Sequence, residues 1–157
     1  MILTRAELDE IRRQAEAGYP AECCGVIFVK DGPEGVRRLF PCRNIQDERH
    51  AEDPVSFPRQ SRTAYYMHPQ DTLHIHRAQE AGERVSVIYH SHVDAGAYFS
   101  ETDKRNALPG GVPAFPGTIY VVVSVVEGKM RDAQACRWDP EAKDFLSVPL
   151  SLGGEQL

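Results

Sequence analysis

Two histidines one residue apart, His90 and His92, follow the apolar run Val85-Ser86-Val87-Ile88-Tyr89. A strand there sends both imidazoles to one side, because side chains two apart share a face. Neutral imidazole is the common zinc ligand, so the pair can reach one metal ion, although the same spacing arises when two polar residues simply leave a strand. Asp103 supplies the third donor in the metal reading, carried back toward the strand end by a loop and the first turn of a helix. Three protein ligands leave a fourth position for water, the arrangement of catalytic rather than structural zinc, and the ion lowers that water's pKa toward ~7. Ser100-x-x-Asp103 also has the form of a helix cap, and Ser100 can cap while Asp103 turns to the metal. Glu22 stands just before another apolar run. A carboxylate there either faces solvent at a strand start or acts as a base within reach of the activated water, and spacing does not choose between them.

His74-Ile75-His76 is an internal control, the same spacing on a predicted helix, where residues two apart diverge by about 200°. These two cannot share an ion and are expected on the helix surface. His50 and His68 have no partner pattern and are expected in loops.

The elements that must position these groups follow from local signals. Thr4-x-x-Glu7 predicts a capping box, and Leu8, Ile11 and Ala15 continue an amphipathic helix to Gly18. Residues 23–29 and 36–40, joined through Gly32-Pro33-Glu34-Gly35, read as a β-hairpin. Residues 43–61 turn polar around Pro54 and Pro58 and predict a long loop, followed by a short strand at Tyr65-Tyr66. Pro69 opens a helix to about Glu80 that ends at Gly82, the strand 85–89 delivers the histidines at its end, and Ser100 caps a helix to about Leu108. The uninterrupted apolar run 118–126 implies a central strand buried on both faces, and strands near 130–138 and 145–148 complete the set. Helices and strands alternate, which predicts one α/β (α+β) domain over residues 1–150 with a mixed sheet, and a flexible tail over 151–157.

A chain of 157 residues buries a core without staples, so a metal would be there for chemistry rather than for folding. A net charge of −5 argues against nucleic acid, whose binding leans on clustered Lys and Arg. The first residues lack the pattern of a signal peptide, and no apolar run approaches the ~20 residues of a membrane span, so the expectation is a cytoplasmic protein. Cys23, Cys24, Cys42 and Cys136 form no C-x-x-C pair and are expected as reduced core residues, although a hairpin centred on Pro33 would set Cys24 opposite Cys42.

Glu22, then His90-Ser91-His92, seven residues, Ser100, two residues and Asp103 resemble, position for position, the JAMM motif of the MPN+ (Mov34/PAD-1) zinc metalloproteases. Pro20-Ala21-Glu22-Cys23-Cys24-Gly25 is similar to the glutamate-bearing first strand of single-domain bacterial members, and the resemblance runs from the first helix to about Trp138. It implies a cytidine-deaminase-like fold with a curved mixed β-sheet flanked by helices, and zinc on His90, His92 and Asp103. It further implies Glu22 as general base, Ser100 as donor to the oxyanion, and Ser91 as a residue that orients the loop rather than reacts. The implied reaction is hydrolysis of a peptide or isopeptide bond. The implied substrates are ubiquitin-like proteins with a Gly-Gly tail, in small bacterial members sulfur-carrier proteins of cysteine or cofactor biosynthesis.

Two departures bear on the fit of that tail. Val93 and Glu101-Thr102 stand where many relatives have prolines, which touches the loop 93–99 with Tyr98 and Phe99. The stretch 43–61 is longer than in compact relatives and could cover the groove or make a homodimer contact. Gly153-Gly154 of the chain itself is assigned no function. Among rivals, a zinc nucleoside deaminase requires His-x-Glu and Pro-Cys-x-x-Cys, which are absent from the sequence. A non-catalytic MPN scaffold would show a broken motif, whereas all five positions are intact. A peptidase of the same chemistry in phage assembly or peptidoglycan trimming is separable only by its partner.

Overall fold

The computed structural model describes residues 1–33 and 35–153. In chain order the elements are β1 (Leu3–Thr4), α1 (Arg5–Gly18), β2 (Cys24–Lys30), β3 (Val36–Cys42), α2 (Gln46–Glu52), α3 (Pro69–Glu80), β4 (Arg84–Val93), α4 (Glu101–Ala107), β5 (Ile119–Val126), β6 (Lys129–Asp139), β7 (Asp144–Val148) and β8 (Leu152–Gly153). Six strands form one sheet in the order β3-β2-β4-β5-β6-β7, with β4 and β5 parallel and the other neighbours antiparallel. The expected mixed α/β architecture is what the chain adopts.

β5 is the internal strand that its apolar run predicted. Val121, Val123 and Val125 bury into a core layer with Ile11 and Ala15 of α1, while Tyr120 faces the opposite layer with Ile75 and Ala78 of α3 and Ala107 of α4. Both faces of the sheet are therefore covered, α1 on one and α3 with α4 on the other. The Thr4 cap of α1 is a full capping box, with Glu7 N donating to Thr4 Oγ1 at 3.0 Å and Thr4 N to the Glu7 carboxylate at 2.8 Å. Tyr89 crosses Gly25 to reach Gln14 of α1, and a Cβ on Gly25 would fall 2.2 Å from the Tyr89 hydroxyl oxygen, so this strand position admits only glycine.

Several expectations change. Residues 43–61 are not a plain loop, because α2 forms inside them. Asn44 accepts from Gln46 N at 3.0 Å, and Asp47 and Glu48 lie in the first turn, where a carboxylate is favourable. Tyr65-Tyr66 forms no strand; pairing there is limited to an isolated bridge between Asn44 and Met67. The histidines sit inside β4 rather than beyond its end. Residues 151–153, expected in a tail, are tied to the N-terminus: Ser151 O accepts from Ile2 N and Leu3 N, and β8 runs parallel to β1. Residues 154–157, the rest of that expected tail, lie outside the described residues.

Cys24 does stand opposite Cys42 across the hairpin, yet all four cysteines are free and buried. Burial pushes the Cys42 thiol up to about 12, so it behaves as a small hydrophobe. No helix among the described residues is long and apolar enough to cross a membrane.

Candidate metal centre

β4 is buried along nearly its whole length, and alternation sends Tyr89 and Ser91 toward α1, while Ile88, His90 and His92 face α4. There His90 Nε2 and His92 Nε2 lie 3.2 Å apart, and Asp103 Oδ2 lies 3.2 Å from each. Ligands about 2.0–2.1 Å from a tetrahedral zinc ion stand about 3.3 Å from one another, so these three atoms form one face of such a tetrahedron.

The hydrogen bonds around the triangle make it suited to a cation. Gly96 O, which can only accept, lies 2.8 Å from His92 Nδ1 and so fixes the proton on that nitrogen. In neutral His92 the Nε2 lone pair then points at a carboxylate oxygen and at a second imidazole, an arrangement that repels unless a proton or metal sits between. The electrostatics agree. Burial works to lower the His92 pKa, but the Asp103 carboxylate and the Gly96 carbonyl outweigh it and hold it above the ordinary value. Burial works to raise the Asp103 carboxyl, yet the two imidazoles and the Ser100 amide hold it well below the usual carboxylate range. His90 Nδ1 is buried without a hydrogen-bond partner, and the ring is held by packing, with Tyr65 at 4.9 Å between centroids and Phe99 at 6.3 Å.

Ser100 and Asp103 serve both uses their spacing allowed. Asp103 N donates to Ser100 Oγ at 3.0 Å, and Ser100 N donates to Asp103 Oδ2 at 2.9 Å, so the cap of α4 also aims the carboxylate at the histidines. As an acceptor in this cap, the Ser100 hydroxyl keeps its own proton for another partner.

Glu22 is brought in by strand pairing. Cys24 pairs with His90 across β2 and β4, and reciprocal bonds between Cys23 and Ser91 extend that register, with Cys23 N to Ser91 Oγ at 2.8 Å and Ser91 N to Cys23 O at 3.0 Å. One more step places Glu22 opposite His92, on the same face. Its backbone is held further by Ser61 O, which accepts from Glu22 N at 2.7 Å, and by Asn44 Nδ2, which donates to Glu22 O at 2.8 Å. Glu22, His92, Ser100 and Asp103 line one cavity of about 160 Å³. Glu22 is 6% exposed, and burial pushes its carboxyl up to about 8, with Asp103 adding to the rise while His92 and Arg59 oppose it. Ser91 thus holds the segment that leads from Glu22 into β2.

The structure brings together all five residues singled out by type and spacing. Sequence reasoning missed the scaffold around them. Asp94, in a left-handed conformation, accepts from Tyr19 Oη at 2.7 Å, Arg62 Nη2 at 2.6 Å and Glu127 N at 2.9 Å, and so joins three segments at the rim. Beside the small cavity runs a mostly apolar groove of about 750 Å³, and Arg59, Ala64, Tyr65, Thr102, Asp103 and Asn106 line both. Its walls come from α2, α3, α4, the sheet face and the segments 56–67 and 114–115, which only the fold assembles.

Residues 4–139 match the model of a family described as prokaryotic homologs of the JAB domain. The chain is 34% identical over 127 residues to tail tip assembly protein K of Escherichia phage N15, covering 81% of this chain and 42% of that protein, so it spans less than half of that relative. It is 32% identical over 139 residues to the CysO-cysteine peptidase of Mycobacterium tuberculosis, covering 87% and 82% of the two chains. To the desampylase of Haloferax volcanii it is 31% identical over 142 residues, covering 90% and 86%. In fold it is similar to a solution structure of a protein from Desulfitobacterium hafniense, with a TM-score of 0.66 at 21% identity over 98% of this chain and 92% of that one.

Proposed function

This chain belongs to the prokaryotic homologs of the JAB domain, and from that premise we propose that it is a zinc-dependent hydrolase of peptide or isopeptide bonds, cutting after the Gly-Gly tail of a ubiquitin-like sulfur-carrier protein. The observation that carries the reading is the triangle of His90 Nε2, His92 Nε2 and Asp103 Oδ2, with 3.2 Å edges and a buried carboxylic acid beside it. Zinc held by these three residues would supply Lewis acidity that acidifies water and polarises a carbonyl.

The rest is done by the chain. Glu22 is the general base: it takes a proton from the attacking water and hands it to the leaving nitrogen as the C–N bond breaks, so that hydroxide goes to the acyl carbon and hydrogen to the amine. Its burial suits the second half of that task, because a carboxyl raised by desolvation holds the proton it has taken until the leaving nitrogen accepts it. Ser100 donates its free hydroxyl proton to the carbonyl oxygen as that oxygen gains charge, a stabilisation of ~3 kcal/mol for one such donor. A Gly-Gly tail fits a cavity of about 160 Å³, where a side chain on either residue would compete for the space. The relatives called CysO-cysteine peptidase and desampylase support a peptidase acting on such carriers.

The test is to incubate zinc-loaded protein, and its Glu22→Ala variant, with carrier proteins extended beyond Gly-Gly and to read the products by mass. Cleavage immediately after the second glycine, lost in the variant, is the expected result; equal cleavage by both proteins removes Glu22 from the mechanism.

The likeness to the phage tail tip assembly protein favours a second reading, the same chemistry applied during phage assembly. A partner screen that returns tail proteins rather than carrier proteins would select it.

A further inference from the structure

We propose that Arg59 determines specificity by receiving the free carboxylate of a single amino acid on the leaving side of the scissile bond, so that the favoured leaving group is one terminal residue. The proposal rests on the hydrolase reading above and adds to it the chemistry of the leaving group.

The segment that carries Arg59 is fixed along its length. His50 Nδ1 lies 2.7 Å from Phe57 O, and Gln46 Nε2 donates to Arg59 O at 2.9 Å from a buried position on α2. Asp47 accepts from both the amide and the hydroxyl of Ser61, each at 2.7 Å, and Ser61 O takes the amide of Glu22. The backbone at Arg59 is thereby tied to the same strand end that presents Glu22.

The side chain is treated differently. It is exposed, and among the described residues its one side-chain hydrogen bond is a long one, Nη1 to Thr63 O at 3.4 Å. Arg37, Arg38, Arg43 and Arg62 each meet a carboxylate, on Glu7, Glu83, Asp71 and Asp94 respectively. Among the described residues Arg59 meets none. It is also the one arginine that lines both the catalytic cavity and the groove, and its charge is felt at Glu22. A guanidinium held in place by its backbone, without a partner, at the mouth of a cavity whose other cation is neutralised is suited to bind a carboxylate from outside the chain.

Substrate geometry says which carboxylate. Glu22 hands its proton to the leaving nitrogen, so the leaving group lies on the Glu22 side, where Arg59 stands. If one residue follows the scissile bond, its carboxylate is two bonds from that nitrogen. If the chain continues, a neutral amide occupies the same place and offers the guanidinium no charge.

The experiment compares two substrates, a carrier protein ending Gly-Gly-Ala with a free carboxylate and the same protein ending in the carboxamide. Wild type is expected to prefer the carboxylate by tenfold or more in kcat/KM, chiefly through KM. In Arg59→Gln the ratio should collapse toward one, and Arg59→Lys should restore part of it. A wild type that does not discriminate, or a ratio that survives in Arg59→Gln, overturns the proposal. Calorimetric binding of Gly-Gly-Ala peptides with either terminus to the Glu22→Ala protein supplies a readout without turnover. Wild type that cleaves neither substrate would overturn the hydrolase reading, while tighter binding of the free acid, dependent on Arg59, would still support the clamp and equal binding would end it.

Discussion

The pattern His-x-His occurs twice in this chain, and the two copies are put to opposite uses. On β4, His90 and His92 point the same way and bring two nitrogens within 3.2 Å, with Asp103 closing the triangle. On α3, His74 and His76 diverge. His74 stacks on Phe40 at 4.3 Å between centroids and accepts from Arg38 at 3.2 Å, while His76 faces solvent. Because an arginine can only donate, the Nε2 lone pair of His74 is already taken by Arg38. Residue type and spacing are identical in the two places; the period of the element decides whether the pair converges on one point, as a metal site requires, or splits into a packing residue and a surface residue.

The largest effect that would sharpen this contrast is the loss of Asp103. Asp103→Ala removes a ligand and leaves two imidazoles facing each other, so kcat/KM for a Gly-Gly-extended carrier should fall by at least ~10³-fold. His74→Ala should leave that rate within about twofold. A substantial rate in Asp103→Ala would place the chemistry elsewhere.

Next comes Glu22→Gln, which keeps the shape and removes the base. A fall in kcat of roughly 10² to 10⁴ is expected with zinc still bound. The same variant carries a stability signature. Below the ordinary carboxyl value of 4.5, Glu22 is protonated in folded and unfolded chains alike; between 4.5 and about 8 the unfolded chain ionises while the folded one holds its proton. Metal-free wild type therefore loses stability as pH rises through that window, and the full cost is reached above about 8. Glu22→Gln escapes it, so in denaturant titrations of metal-free protein its advantage should grow from near zero at pH 4 to several kcal/mol, on the order of 4, at pH 8. A gain that does not change with pH would mean that Glu22 is not a buried acid.

Ser100→Ala should lower kcat by about 10²-fold through the missing oxyanion donor, and should also cost ~1 kcal/mol of stability through the lost cap. Ser100→Asp separates the two effects, since it caps without donating: stability should return and kcat should not. The smallest effect is on the helix side, where His74→Ala gives up its stacking on Phe40 and its bond to Arg38 and should cost about 1 kcal/mol in a denaturant titration, with no change in bound zinc.

How far the sequence revealed these regions follows from the same contrast. The candidate ligand set was legible because strand alternation and capping spacing are local rules. The bringing of Glu22 to His92 was not, since it depends on Cys24 pairing with His90 across the sheet. Helix α2 escaped notice because its buried residue is Gln46, a polar side chain that gives no apolar periodicity; it is held by hydrogen bonds to Asn44 and Arg59 rather than by hydrophobic packing. The role of Arg59 escaped with it, for nothing in the composition of residues 43–61 marks which arginine will lack a carboxylate.

The most direct test of the central claim is a count of bound zinc. Protein loaded with zinc, dialysed and assayed by elemental analysis should hold one ion per chain in wild type and in the His74→Ala/His76→Ala double variant, and essentially none in His92→Ala. Zinc retained by His92→Ala, or lost from the double variant, would contradict the assignment of the metal to β4.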